Sequence, residues 1–239
     1  MTPVQLSVVI PVYNEERNIQ ETLRKITAFF SLKNIPWEVI VVSDGSTDNT
    51  AQKVKEVQKS NPAFPLKLLC SDKNRGKGYA SRRGLLAASG RYVLLSDADL
   101  SAPIKEVDHL VAAIDEGADV AIGSRAVKKK DCQVRQSWKR HVSGRIFNFF
   151  VQFFVLPGIH DSQCGFKCFT HEAAQKLFSA QKIDGFSFDV EVLYLARKFG
   201  YKIAEVPVMW SEGADSRISL FRDAIRMLKD LFKIKQIHS

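Results

Sequence analysis

Cysteine is scarce in this chain, with four in 239 residues. Cys70, Cys132, Cys164 and Cys168 are too few and too scattered for a disulfide framework, and no secretory signal precedes the first strand pattern, so a reducing, cytosolic setting is expected. No charge-free run reaches the roughly 18 apolar residues that a spanning helix needs. The longest apolar stretch, Ile146 to Ile159, is interrupted by Asn148 and Gln152 and closes near Pro157-Gly158, which suits a segment lying on a membrane rather than crossing it. Repeats, low-complexity tracts, aromatic RNA-stacking motifs and fingers are also missing, so only net charge speaks for a nucleic-acid partner, and none is expected. His160, Cys164, Cys168 and His171 could be drawn as zinc ligands, but their spacing is not that of a finger or ribbon.

A further absence concerns glycine. After the first strand pattern the chain reads Pro11-Val12-Tyr13-Asn14-Glu15-Glu16, where a dinucleotide-binding protein would place G-x-G-x-x-G to bring its backbone onto a pyrophosphate. A nucleotide held here needs its diphosphate neutralised by another device, and a carboxylate-bound metal is the candidate.

What is present is an alternation of short apolar runs and helical patterns, the mark of βαβ units and a mostly parallel sheet. Strands are expected at Leu6 to Pro11, Glu38 to Val42, Leu66 to Cys70, Tyr92 to Ser96 and Asp119 to Ser124, with helices at Glu15 to Phe30, Thr47 to Ser60, Gly76 to Ala88 and Ile104 to Glu116. The net charge of +9 is concentrated after Ser124, where Arg125, Lys128, Lys129, Lys130, Arg135, Lys139, Arg140 and Arg145 are opposed only by Asp131. An aromatic helix from Ile146, a strand at Cys164 to Phe169, a helix at Phe188 to Phe199 and a strand at Lys202 to Val208 follow. The last segment, Ile218 to Ile237, sets Leu220, Phe221, Ile225, Leu228, Leu231 and Phe232 at helical spacing among basic residues.

Carboxylates mark the carboxyl ends of the strands, the edge where open α/β sheets bind ligands. Asp97 and Asp99 end the fourth strand as D-x-D, a spacing that can aim one carboxylate at a ribose and the other at a hard divalent ion. Asp44 ends the second, although Asp44-Gly45 could be a turn and Ser46 or Thr47 a helix cap. With Tyr13 and Glu15, three loops converge on one edge.

These segments carry a resemblance. Residues 7–15 (SVVIPVYNE), 41–48 (VVSDGSTD), 74–78 (NRGKG) and 97–99 (DAD) resemble the nucleotide-sugar half of family 2 glycosyltransferases, and residues 161–167 (DSQCGFK), 188–191 (FDVE) and 205–210 (EVPVMW) resemble the dolichyl-phosphate glucosyltransferases within it. The resemblance implies a GT-A fold over residues 1–217, with a nucleotide-sugar half (1–124) and an acceptor half (125–217), and an amphipathic helix over 218–239. It gives Pro11, Tyr13, Glu15 and Asp44 to the base and ribose, Asp97 to the nucleotide and Asp99 to Mg²⁺ or Mn²⁺. Ser101 stands where relatives place a further metal ligand, a glutamine. Arg125 corresponds to a phosphate-gripping arginine, and Arg217 takes the place of a lysine in a Ser-Lys pair.

The implied reaction is an inverting transfer of a hexose, glucose from UDP-glucose by this resemblance, to a polyprenyl or dolichyl phosphate on the cytoplasmic face of a membrane. Arg135 and Arg140, with Arg217, are the expected contacts of the acceptor phosphate. Asp189 resembles the catalytic base of relatives with hydroxyl acceptors, and a hydroxyl acceptor in polysaccharide or glycan synthesis is the alternative. A catalytically dead sensor of nucleotide-sugars is opposed by the presence of Asp97, Asp99 and Arg125 together.

Overall fold

The computed structural model describes residues 3–127, 134–135, 148, 150–211 and 222–238. Its strands are β1 (Leu6–Val12), β2 (Trp37–Asp44), β3 (Leu66–Ser71), β4 (Tyr92–Leu95), β5 (Val120–Ser124), β6 (Val134–Arg135), β7 (Lys167–Thr170), β8 (Ile203–Pro207) and β9 (Trp210–Ser211). Its helices are α1 (Ile19–Phe30), α2 (Thr50–Ser60), α3 (Lys77–Leu86), α4 (Val107–Asp115), α5 (His171–Ala180), α6 (Phe188–Lys198) and α7 (Arg222–Ile237). Seven strands form one sheet in the order β3-β2-β1-β4-β7-β5-β8, in which β7 runs antiparallel to both neighbours and the other pairs are parallel. The mostly parallel α/β architecture is the one expected. β6 and β9 make a separate short ladder.

The period-two alternation of the strands sorts two cores onto the two faces. Val9, Ile40 and Val42 face one way and pack with Leu85 of α3, Leu177 and Phe178 of α5, Leu193 of α6 and Ile234 of α7. Val8, Ile10, Val39 and Val41 face the other way and pack with Leu23 and Ile26 of α1, Val54 of α2 and Leu110 of α4. With helices on both sides, all seven residues of β1 are buried.

Several boundaries differ from the sequence reading, for local reasons. α1 starts at Ile19 instead of Glu15 because Asn14 adopts a left-handed conformation (φ 53°) and the following loop bonds across to the start of α2. α2 itself starts at Thr50 instead of Thr47, since Thr47 N and Asp48 N donate to Asn14 Oδ1. β7 starts at Lys167 instead of Cys164. Helix α5 was not expected; Thr170 begins it, its Oγ1 accepting from Ala173 N at 3.2 Å, with Glu172 in the first turn.

The end of the chain is wired back into this frame. Buried Glu191 of α6 accepts from Lys182 N (2.8 Å) and Ile183 N (2.9 Å), and its Oε1 lies 2.6 Å from His238 Nε2. Of the expected final helix, 218–221 lies outside the described residues. Among the described residues, no helix is long and apolar enough to cross a membrane.

Candidate active site

Parallel strands deliver their following loops to one edge, and β7, being antiparallel, brings its preceding loop there too. The loops after β1 and β2 are bonded into one unit. Asn14 N donates to Ser46 Oγ at 3.1 Å, Glu15 N to Thr50 Oγ1 at 2.7 Å and Glu16 N to Asp48 Oδ2 at 3.1 Å. Pro11 lies buried within β1, Tyr13 is 38% exposed at the edge, and Glu15 Oε2 accepts from Asn18 Nδ2.

Asp44 is buried at the end of β2. Its Oδ2 accepts from Arg75 N (2.9 Å) and Gly76 N (2.7 Å), while its Oδ1 is buried with no hydrogen-bond partner among the described residues. A carboxylate oxygen left so is costly, and a ligand N–H or O–H reaching it would relieve that cost.

The D-x-D turn is braced from below by Thr22 of α1, whose hydroxyl donates to Ala98 O, and Leu100 takes a left-handed conformation (φ 48°) to make the turn. Asp97 Oδ1 pairs with Lys77 Nζ at 2.6 Å. Gly165 packs so closely on the Asp97 carboxylate that a Cβ built on it would overlap both oxygens. Asp99 accepts from Ser101 N (2.9 Å) and Ser101 Oγ (2.8 Å), so both residues expected at the metal touch each other.

These donors are all oxygen, the set a hard divalent cation takes, and Asp99 with Ser101 and neighbouring Asp97 fit Mg²⁺ or Mn²⁺ by that chemistry. Among the described residues, no three His, Cys, Asp or Glu side chains gather to hold a metal by themselves. Such a cation would therefore complete its shell with substrate phosphate and water, as Mg²⁺ commonly does.

Arg125 follows β5 and is gripped by buried Asp161, which accepts from its backbone N (2.8 Å), Nε (2.7 Å) and Nη2 (2.7 Å). Asp161 N and His160 N donate in turn to Glu205 at 2.9 Å each, and the guanidinium lies 5.3 Å from the Trp210 ring centroid. Burial opposes the charge of Arg125, but Asp161 outweighs it and raises the pKa above the ordinary arginine value. Asp189, at the start of α6, is 4% exposed and accepts at Oδ1 from Lys167 Nζ at 2.5 Å; Lys167, 1% exposed, also donates to Cys164 O. Burial would lower the Lys77 pKa, but the charges of Asp97, Asp189 and Asp99 prevail and raise it.

The structure thus brings Asp97, Asp99, Ser101, Arg125 and Asp189 to one edge with Tyr13, Glu15 and Asp44. Of the expected acceptor contacts, the backbone of Arg135 pairs with Ser211 in β9, and Ser211 N donates to Ser101 O at 2.9 Å. Arg140 and Arg217 lie outside the described residues. Sequence reasoning assigned no role to Lys77, Asp161, Gly165 or Lys167, although all fall in the segments 74–78 and 161–167. The available signals were a lysine between two glycines at a helix start and a lysine within the run from Cys164 to Phe169. Cys164 and Cys168 are core residues whose thiols burial pushes up to about 11 and about 12, and His171 Nδ1 lies 3.2 Å from Gly90 O.

Residues 7–178 match the family model described as glycosyl transferase family 2. The chain is 38% identical to a dolichyl-phosphate beta-glucosyltransferase of Drosophila melanogaster, over 97% of this chain and 74% of that protein. It is 35% identical to the Homo sapiens protein of the same name, over 97% of this chain and 75% of that one. Among solved structures, glucosyl-3-phosphoglycerate synthase from Mycobacterium tuberculosis, in complex with Mn²⁺, UDP and glucosyl-3-phosphoglycerate, superposes with a TM-score of 0.70 at 20% identity, covering 97% of this chain and 78% of that one. At that identity the likeness is one of fold.

Proposed function

Because the chain belongs to glycosyl transferase family 2, we propose that it transfers glucose from UDP-glucose, with inversion, to a polyprenyl or dolichyl phosphate, and that it works peripherally on the cytoplasmic face of a membrane. The choice of sugar and acceptor draws on the names of its 35–38% identical relatives. The observation that carries the acceptor class is the buried pair of Asp189 and Lys167. A hydroxyl acceptor needs a base to take its proton. Asp189, the residue at that position, is enclosed and already engaged by an ammonium. A phosphate monoester, with a second pKa near about 6, arrives ionised and needs no base.

In this reading Tyr13, Glu15 and Asp44, on the frame that contains Pro11, hold base and ribose, and Asp44 Oδ1 is an acceptor with no hydrogen-bond partner among the described residues. Asp97 binds the nucleotide, while Asp99 and Ser101 hold Mg²⁺ or Mn²⁺. Bound there, the cation would neutralise charge on the departing diphosphate. Arg125 supplies a fixed guanidinium to phosphate, its orientation set by Asp161. Arg135, Arg140 and Arg217 are the proposed contacts of the acceptor phosphate. An acceptor oxygen attacks the anomeric carbon as the bond to the donor's β-phosphate oxygen breaks on the opposite face, and the bond electrons leave with UDP.

The test is to offer radiolabelled UDP-glucose, UDP-galactose, UDP-N-acetylglucosamine and GDP-mannose with dolichyl phosphate and Mg²⁺ or Mn²⁺, then to extract lipid. Labelled lipid from UDP-glucose is expected. With an oligosaccharide offered in a parallel reaction, label that enters it but never lipid would overturn the assignment in favour of hydroxyl acceptors.

A further inference from the structure

Trp210 has no part in the assignments above, yet three parts of the site meet at it. Its half-buried ring faces the Arg125 guanidinium, 5.3 Å from centroid to Cζ, and borders a small hollow shared with Asp97, Gly165 and Phe166. Its backbone pairs with Val134, the neighbour of Arg135 in β6. The residues around it complete the connection. Val208 N donates to Ser124 O at 3.3 Å, immediately before Arg125, and Ser211 N donates to Ser101 O at 2.9 Å. Residues 208–211 thus join the strand end that carries Arg125 to the turn that carries Asp99 and Ser101.

The surroundings of Arg125 leave one edge of it open. Asp161 accepts from the backbone N, Nε and Nη2, and the Trp210 ring covers a face. Nη1 has no hydrogen-bond partner among the described residues, and the side chain is 25% exposed. A guanidinium held by a carboxylate along one edge can still tilt about that edge. An aromatic face beside it restrains the tilt and attracts the charge. Trp210 also packs against the core that contains Leu110 and Phe166, so it contributes to stability as well. Packing by itself asks for apolar bulk, whereas restraint of a guanidinium asks for a ring.

We propose that Trp210 is a positioning residue that acts through Arg125: its ring holds the guanidinium so that Nη1 is presented to phosphate at a set distance from the cation turn. This rests on the reading of Arg125 as a phosphate contact. Because one short segment ties the guanidinium to the turn of Asp99 and Ser101, a phosphate group meets both in a fixed arrangement, without reorganisation at the moment of reaction. The ring itself exchanges no proton and forms no bond.

The proposal is tested by measuring kcat/KM for transfer to dolichyl phosphate in wild type, W210F, W210L and W210M, each with Arg125 in place and again with R125K, alongside thermal melting of every protein. Leucine and methionine keep apolar bulk without a ring, and lysine keeps the charge of Arg125 without the planar fork. W210L and W210M are expected to lower kcat/KM roughly ten- to hundred-fold, the scale of a misplaced contact. W210F is expected to stay within about threefold of wild type, since a ring still faces the guanidinium. With R125K, the same W210L or W210M change is expected to cost less than about threefold, because the group through which Trp210 acts is gone. Equal losses in both backgrounds, undiminished transfer in W210L, W210F as impaired as W210L, or failure of both ring-less variants to fold would overturn the positioning role and leave the ring to packing. Undiminished kcat/KM in R125K would overturn the phosphate reading of Arg125 and the proposal with it.

Discussion

Gly165 and Asp97 are in contact across the site, the glycine backbone lying where any side chain would displace the carboxylate. The glycine is needed for close approach, since its φ is not among the positive values in this chain. G165A should therefore move Asp97 while disturbing little else, because the group that must yield is the end of a side chain. Transfer is expected to fall by about a hundredfold, the scale of a misplacement of about one ångström. The melting temperature should drop by only a few degrees. Unchanged kcat/KM in G165A would mean that the position of Asp97 does not matter to the reaction.

The pairing of Asp189 with Lys167 separates two acceptor chemistries. D99A is expected to abolish transfer, since it removes the proposed metal carboxylate. D189N keeps the shape but leaves the buried Lys167 ammonium facing an amide, so the melting temperature should fall and transfer should decline by roughly ten- to hundred-fold without vanishing. The two variants are to be compared in the lipid-extraction assay. Complete loss of transfer in a D189N protein that remains folded would identify Asp189 as a base and the acceptor as a hydroxyl.

Glu38 offers a test of the frame that leaves the site untouched. It is buried at the start of β2 beside Lys67 Nζ (2.7 Å), Ser89 Oγ (2.6 Å) and Ser7 Oγ (2.7 Å). Burial alone would raise its pKa, but these donors outweigh burial and hold it at about 2, below the ordinary 4.5. A depressed carboxylate contributes stability above its unfolded pKa and loses that contribution as pH falls toward the folded value. E38Q should be less stable than wild type by roughly 1–3 kcal/mol at pH 7. Urea titrations from pH 7 down to pH 2 should show the two converging; a constant difference would exclude the ionised form as its source.

Much of this was legible in the sequence, and the gaps have physical causes. The positions of the strands and the carboxylates at their ends followed from short apolar runs alternating with helical patterns and from the polar residues that close those runs. The start of α1 was misplaced because Asn14 closes onto Thr47 and Asp48, bonds between residues over thirty apart that no local propensity reveals. Lys77 and Lys167 went unassigned for the same reason. A lysine reads as a solvated charge until the topology brings β7 beside β4 and sets the start of α3 against Asp97. Asp161 likewise needed β8, whose Glu205 fixes the backbone that turns it toward Arg125.

The membrane part of the proposal rests on a surface that joins two parts of the chain. In the helical segment 150–154, Phe153 is 73% exposed, and on α7 Phe232 is 57% exposed. Phe154 links them, its ring centroid 4.9 Å from that of Phe153 and 5.0 Å from that of Phe232. Core packing does not require these exposed rings, because α7 already buries Leu231 and Ile234 at 1% and 0% exposure. Exposed Lys229 and Lys235 lie three residues to either side of Phe232, and so share its side of the helix. Aromatic rings flanked by lysines suit an interface with anionic headgroups. The double variant F153S/F232S should fold normally, since both rings are exposed, and its binding to phosphatidylserine vesicles in co-sedimentation should fall by roughly tenfold. Wild-type binding should also weaken on neutral vesicles and in high salt, which screens the lysines. Binding that depends on neither anionic lipid nor these two phenylalanines would place membrane contact on another face.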